Sequence, residues 1–183
     1  MEVECSKGKT KMKLRKLELK DAPFMLEWMH DENVTEYLQA NFKEKTLSDC
    51  EAFIEAAQIE TNNKNWAICN DADEYLGTIS LKNIDYKNSN AEYAISMRTI
   101  AQGTGASRFA TESVLQIAFE EMELNRVYLN VLVDNVRADK FYNKMGFIYE
   151  GTFQKHLFVS GAFRDLKWYG ITRDVYMKRK DIS

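Results

Sequence analysis

AEYAISMRTIAQGTGASRFATESVLQIA, residues Ala91 to Ala118, is the stretch that decides the fold. Tyr93 to Met97 reads as a short apolar strand. It runs into a turn with two glycines one residue apart, Gly103 and Gly105, and the turn opens a long amphipathic helix. Glycines let the backbone approach a ligand closely, and the first turn of a helix presents unpaired N–H groups at the positive end of its dipole. A strand, a glycine turn and a helix in that order form a place to hold phosphates.

Working outward, the segment before this stretch has a period of two. Asn65 to Cys69 and Tyr75 to Ile84 read as strands joined by the turn formers NDAD, and Lys87 to Asn90 turns into the strand of the opening stretch, giving an antiparallel meander. On the other side, the helix Thr104 to Met122 turns Phe109, Val114, Leu115, Ala118 and Phe119 inward. Val127, Leu129, Val131 and Val133 then alternate along a strand, and Asn135 to Met145 carries Ala138, Phe141, Tyr142 and Met145 at helical spacing. Two strands follow from Phe147, joined at Ser160-Gly161 as a hairpin.

Nearer the N-terminus, MKLRKLEL from Met12 reads as a first strand. Asp21 can cap a helix with Pro23 in its first turn and Phe24, Met25, Trp28 and Met29 on one face. A short helical piece carries Val34, Tyr37 and Leu38. Thr46 with Asp49 resembles a capping box before a helix bearing Leu47, Cys50, Phe53, Ile54 and Ala57. The order β-α-α-β-β-β-α-β-α-β-β predicts an α/β fold: a mixed, mainly antiparallel sheet, with strands 91–97 and 127–133 side by side and parallel.

At 183 residues, with 45% hydrophobic and 29% charged residues, the chain is long enough for one core. We expect a polar tail over residues 1–11 and a single domain over 12–183. No apolar run reaches the roughly 18 residues of a membrane span, and the charged N-terminus lacks a secretory h-region, so the expected compartment is the cytoplasm. The odd count of three cysteines, Cys5, Cys50 and Cys69, with two histidines in the chain, reads as free thiols and no metal site. A net charge of −3 argues against a nucleic-acid partner.

Two further segments carry a resemblance. Gln102-Gly103-Thr104-Gly105-Ala106-Ser107 resembles the Q/R-x-x-G-x-G/A motif of the GCN5-related N-acetyltransferases, and NVRADKFYNKMGFIYEG (Asn135 to Gly151) resembles that superfamily's N-x-x-A-x-x-x-Y-x-K-x-G-F-x-x-E-G signature. Upstream, LRKLELKDAPFMLEWMHDENV (Leu14 to Val34) and Ala91-Glu92 are similar to the RimJ/RimL-like branch. Two departures stand out: the last loop position is Ser107, and Ala106-Ser107-Arg108-Phe109 replaces the Y-A-T-E that often follows.

The resemblance implies a parallel strand pair that splays to admit coenzyme A, helices on both faces of the sheet, and acetyl-CoA as cosubstrate. It implies that the pantetheine arm pairs with backbone near Ser96, Met97 and Arg98, while Gln102, Gly103, Thr104, Gly105, Ala106 and Ser107 hold the pyrophosphate. Asn135 would bond the arm, cap its own helix, or do both. Tyr142 resembles the family's general acid, returning a proton to the coenzyme thiolate; the other reading is a core aromatic. Glu92 is either the acceptor of the amine proton or a solvated carboxylate at a strand end. His30, Asp31 and Glu32 after the first helix, and His156 and Trp168 on the terminal hairpin, stand where the family builds its acceptor site, though as surface residues they have a plain alternative.

These residues together predict acetyl transfer from acetyl-CoA to a primary amine by direct attack in a ternary complex. The first expectation for the acceptor is a small molecule such as a nucleotide-linked amino sugar. The alternatives are a protein N-terminus, as in RimJ/RimL-type acetylation, and acyl-CoA binding without catalysis. A dinucleotide site is disfavoured because Arg108 stands where a third glycine would be needed. The chain is expected to be a monomer or a homodimer.

Overall fold

The computed structural model describes residues 11–59, 61–159 and 161–181. Cys5 and the expected tail up to residue 10 lie outside them, as does Ser160 of the expected hairpin turn.

The elements in chain order are β1 (Met12–Arg15), a 3-10 turn (Leu19–Asp21), α1 (Ala22–Met29), α2 (Glu32–Thr35), α3 (Leu47–Ala56), β2 (Lys64–Asn70), β3 (Tyr75–Asp85), β4 (Asn90–Met97), α4 (Ala106–Gln116), β5 (Arg126–Leu132), α5 (Val136–Met145), β6 (Ile148–Val159), β7 (Ala162–Thr172) and α6 (Arg173–Lys180). The strands form one seven-stranded sheet in the order β1-β2-β3-β4-β5-β7-β6. Every neighbouring pair is antiparallel except β4 and β5, the expected parallel couple.

Strand alternation sends successive side chains to opposite faces, and two apolar clusters result. Ile68, Ile79, Leu81, Tyr93, Val127 and Leu129 pack against Ala110, Val114, Leu115 and Phe119 of the segment that begins with α4. Ala67, Cys69 and Tyr75 pack against Met25 and Trp28 of α1 and Cys50 and Ile54 of α3. Helices therefore cover both faces of the sheet.

Several expectations change. β1 ends at Arg15 because Glu18 and Asp21 form a reciprocal capping box around a 3-10 turn. Asp21 does not cap α1 through its side chain; its carboxylate accepts two hydrogen bonds from the Arg15 guanidinium at 2.7 and 2.8 Å. α2 stops at Thr35, short of Tyr37 and Leu38. The helix after the glycine turn is α-helical only to Gln116 and continues as a π-helical turn over Ile117–Glu121. Phe109 is half-buried and lines a cavity against β1 and β2 instead of entering the core. The terminal α6 was not foreseen; Tyr176 and Lys180 tie it to Glu120. The Thr46–Asp49 capping box of α3 is present as expected.

Candidate active site

The parallel pairing of β4 with β5 is confined to Asn90↔Arg126, Ala91↔Val127 and Glu92↔Tyr128. Beyond Glu92 the strands part, and among the described residues the facing edges of Tyr93–Met97 and Leu129–Leu132 have no strand partner. β3 holds the other edge of β4 as far as Gly77↔Met97, and β7 holds that of β5 as far as Leu132↔Leu166. Unpaired N–H and C=O groups along a gap suit an extended amide chain, which can add to the sheet as a strand does.

The chain leaves the open end of β4 through Arg98. Arg98 is 6% exposed. Its guanidinium bonds Glu27 of α1 at 3.0 and 2.8 Å and the Tyr75 carbonyl oxygen at 2.9 Å, and it lies 4.6 Å from the Phe24 ring centroid. This locks α1 to the end of the gap, while Ser96 and Met97 pair with Thr78 and Gly77 of β3. A Cβ on Gly77 would stand 2.4 Å from the Ser96 carbonyl oxygen, so only glycine lets β3 run this close.

Gln102 follows a 3-10 turn, and Gly103 and Gly105 then have φ of 75° and 87°. Thr104 braces the loop, its hydroxyl donating to the Ala101 carbonyl oxygen at 2.7 Å and accepting from the Ala106 N–H at 3.3 Å. Gly105 is the N-cap of α4 and brings no side chain to satisfy the first-turn N–H groups. Ala106 is buried and Ser107 half-buried. A Cβ at Gly103 or Gly105 would meet nothing within 4 Å, so the space in front of the loop is open. Left-handed glycines, a bare helix N-terminus and free space fit a pyrophosphate.

Tyr142 of α5 lies beneath the point where the strands part. Its ring meets Tyr93, the first β4 residue past the last parallel pair, edge-on at 5.7 Å, and it also contacts Phe141, Phe147 and Tyr169. Burial pushes its hydroxyl above the usual tyrosine range, so it stays protonated at neutral pH. Tyr142 thus belongs to the aromatic core and remains a phenol able to donate. Asn135 caps α5, its side-chain oxygen accepting from the Ala138 N–H at 3.0 Å, and its amide N–H groups remain the donor end of that side chain.

On the opposite face of the sheet lies a cavity of about 310 Å³. Thr78, Ser80, Ala94 and Ser96 line it from β3 and β4; Met25, Trp28, Met29, Phe42 and Phe53 line it from the helical side. Trp28 is anchored by its indole N–H, which donates to the Tyr75 hydroxyl at 3.2 Å. The charged lining is Lys45, Asp49 and Lys82. Asp49 is 3.5 Å from Lys45, and hydrogen bonds from Thr46 hold its carboxyl below the ordinary range. Glu92 stands on this face at the last parallel pair. Its oxygens are held by Lys82 at 3.1 Å and by the Asn83 amide at 2.8 Å.

The other expected acceptor residues are spread out. His30 ends α1 and its Nε2 donates to the Lys45 carbonyl oxygen at 2.9 Å, tying the end of α1 to the approach to α3. Asp31 caps α2, and hydrogen bonds from Thr99 and Asn33 hold its carboxyl low, which fastens this loop to the exit of β4. Glu32 is exposed and pairs with Lys43 at 3.0 Å. Trp168 of β7 pairs with Asn130 of β5, beside Tyr128, and so shares a sheet face with Glu92 across the gap. His156 packs edge-on to Phe153 at 5.2 Å on the terminal hairpin. Among the described residues no group of three or more His, Cys, Asp or Glu could hold a metal ion.

The sequence places Met25, Trp28, Met29 and Phe53 of this lining on helix core faces and assigns nothing to Phe42. No periodicity separates a cavity wall from a core, and the only signal was the density of Met, Trp and Phe. The bridge from the Gln39 amide to the Asn130 side-chain oxygen, 91 positions apart in the chain, has no sequence signal at all.

Coenzyme can thus enter the gap from the end of the sheet where β4 and β5 part while an acceptor occupies one face beside it, the arrangement of an acyl-CoA-dependent N-acyltransferase. The profile of the acetyltransferase (GNAT) domain matches residues 11–148, and the chain belongs to that family. It is an acetyl-CoA-dependent N-acetyltransferase acting on an amine. A spermidine N(1)-acetyltransferase of Vibrio cholerae is 28% identical over 175 residues, covering 94% of this chain and 99% of that protein. A putative ribosomal N-acetyltransferase, YdaF, of Bacillus subtilis is 34% identical over 97 residues, 53% of each chain. The solved spermidine N-acetyltransferase from Vibrio cholerae, in complex with CoA and spermine, superposes with a TM-score of 0.83 at 24% identity, covering 91% of this chain and 98% of that one. That likeness is one of fold.

Proposed function

We propose that this enzyme, of RimJ/RimL-like type, acetylates the primary amine of a small molecule by direct attack in a ternary complex, and that the acceptor is an amino sugar of the nucleotide-linked kind. The observation that carries the small-molecule reading is the half-open cavity of about 310 Å³ beside the gap, large enough for a small acceptor. Charge favours a sugar over a polyamine. Asp49 in the cavity wall and Glu92 on the same sheet face each stand beside a lysine, so no excess of negative charge awaits a polycation.

In this reading the edges of Tyr93–Met97 hold the pantetheine arm with help from Asn135, and the Gln102–Ser107 loop holds the pyrophosphate. The amine enters from the Glu92 side and attacks the thioester carbon. Glu92 accepts the amine proton directly or through water, and backbone N–H groups of β4 steady the negative charge building on the carbonyl oxygen. Tyr142 donates its proton to the departing thiolate. His30 and Asp31 keep the α1–α2 loop in place as the acceptor wall, Glu32 stands at its outer rim, and Trp168 and His156 supply the far wall. The domain is taken as residues 12–183. A monomer or a homodimer is consistent with Phe158 and Phe163, 62% and 64% exposed at the hairpin end. The buried free thiols Cys50 and Cys69, the latter pushed by desolvation up to about 11, agree with a reducing cytoplasm.

Polyamine acetylation is the second reading, favoured by the Vibrio cholerae relative. Purified enzyme with acetyl-CoA and a panel of UDP-amino sugars, spermidine and short peptides, followed by thiol release, separates the possibilities. Turnover of the sugars with intersecting initial-rate lines is expected. Turnover of spermidine alone or of peptides alone would overturn the acceptor, and parallel lines would overturn the ternary complex.

A further inference from the structure

Among the described residues, one buried side-chain nitrogen or oxygen has no hydrogen-bond partner: Nε1 of Trp168. Such orphans are rare in native proteins and call for an explanation. This one belongs to the sheet face that carries Glu92. Its ring lies between Tyr128, centroids 6.0 Å apart and 30° between planes, and Phe153, 5.2 Å apart at 43°. Tyr128 is the β5 partner of Glu92, and Asn130, the β5 partner of Trp168, is bonded by Gln39. An aromatic ledge with amide groups beside it thus continues the acceptor site across the gap.

We propose that Trp168, flanked by Tyr128 and Phe153, is a subsite for the sugar ring of the acceptor: the ring lays its C–H face on the aromatics and offers one hydroxyl oxygen to the indole N–H. This rests on the amino-sugar reading above and assigns its recognition to particular residues. An indole N–H only donates, so its partner must accept. A hydroxyl oxygen accepts. The ammonium groups of a protonated polyamine have only donors, and although they can rest on an aromatic face they leave Nε1 unsatisfied. Entry is feasible because Phe153 is 50% exposed and β6 breaks register with β7 between Phe153 and Leu157, so its ring can turn aside without costing ladder bonds.

The test is the indole ¹H–¹⁵N spectrum of the full-length protein, its three tryptophan signals assigned with the help of Trp168→Phe. Glucosamine, UDP-glucosamine, uridine and spermine are each titrated. The expected result is a downfield shift of the Trp168 N–H with glucosamine and UDP-glucosamine, and none with uridine or spermine. A shift with uridine would make the ledge a base-stacking site, a shift with spermine a cation site, and no shift with any probe would leave the ledge structural; each overturns the proposal. Independently, Trp168→Phe keeps a ring and removes the donor. It is expected to lower kcat/KM for the amino sugar about tenfold more than for n-propylamine, the worth of one hydrogen bond to a well-placed partner. Equal losses on both would mark a structural role and overturn the assignment. The two readings fail separately: a sugar that shifts Trp168 but is not acetylated sinks the proposed function, whereas a sugar that is acetylated without moving Trp168 sinks the subsite.

Discussion

Tyr142 has two environments at once, and its chemistry depends on both. The packing that buries it also keeps it protonated, so removing the hydroxyl while keeping the ring isolates proton donation. Tyr142→Phe is expected to lower kcat by about 10²- to 10³-fold while the Kd for coenzyme A changes by less than about twofold. Isothermal titration beside steady-state kinetics checks this, and unchanged turnover would return Tyr142 to a packing role. The candidate was legible because its block, Asn135 to Gly151, resembles a known signature. Its surroundings were not, because Tyr93 and Tyr169 come from β4 and β7, outside that block. Glu92 was legible as a polar strand-end residue, but its tether to Lys82 and Asn83 depends on the β3–β4 register.

At the level of single elements, the glycine loop and α4 carry the proposed phosphate site, and the capping box of α3 holds one wall of the cavity proposed for the acceptor. Gly105 has φ of 87°, where an L side chain is strained although the space is open. Gly105→Ala should therefore destabilise the free protein by only about 1 kcal/mol while raising the Kd for coenzyme A by about tenfold or more, because the new methyl would stand in the open space proposed for the phosphate. Loss of stability without loss of affinity would argue against the loop as the phosphate cradle. Thr46→Ala removes the α3 cap and is expected to cost about 1 kcal/mol in a denaturant melt. Both elements were readable in the sequence because caps and turn glycines act within a few residues. The end of β1, the π-helical turn and α6 were not. Competing hydrogen bonds from Glu18 and Asp21 decide the first, and packing against Phe119 and Glu120 stabilises the last.

For the whole molecule, the deeply buried tyrosines make stability sensitive to alkali. Desolvation is the leading cause that raises Tyr75, Tyr93 and Tyr142 above the ordinary tyrosine range. In the unfolded chain these phenols ionise near the usual pKa of about 10, whereas in the folded chain they hold their protons. The stabilisation is therefore fully present below pH 10 and is lost as pH rises through the folded values, by about 1.4 kcal/mol per pH unit for each group over that window. Thermal melts from pH 8 to pH 11.5 should show a plateau and then a steepening fall beyond about pH 10 that Tyr75→Phe makes shallower. A fall of equal steepness in that variant would contradict the account.

By itself the sequence determined the order of the seven strands, the parallel couple around the glycine turn and the family, because periodicity, caps and turn glycines are local and the two motif blocks are contiguous. Only the tertiary structure decided how far the parallel couple runs before it parts, that the Met, Trp and Phe faces of α1, Phe42 and Phe53 wall a cavity, and that Trp168 lies across the gap from Glu92 with its indole N–H unpaired. Those features depend on register and on contacts between segments far apart in the chain. A residue pattern shows which side chains leave water, but not which empty space or unmatched donor they leave behind.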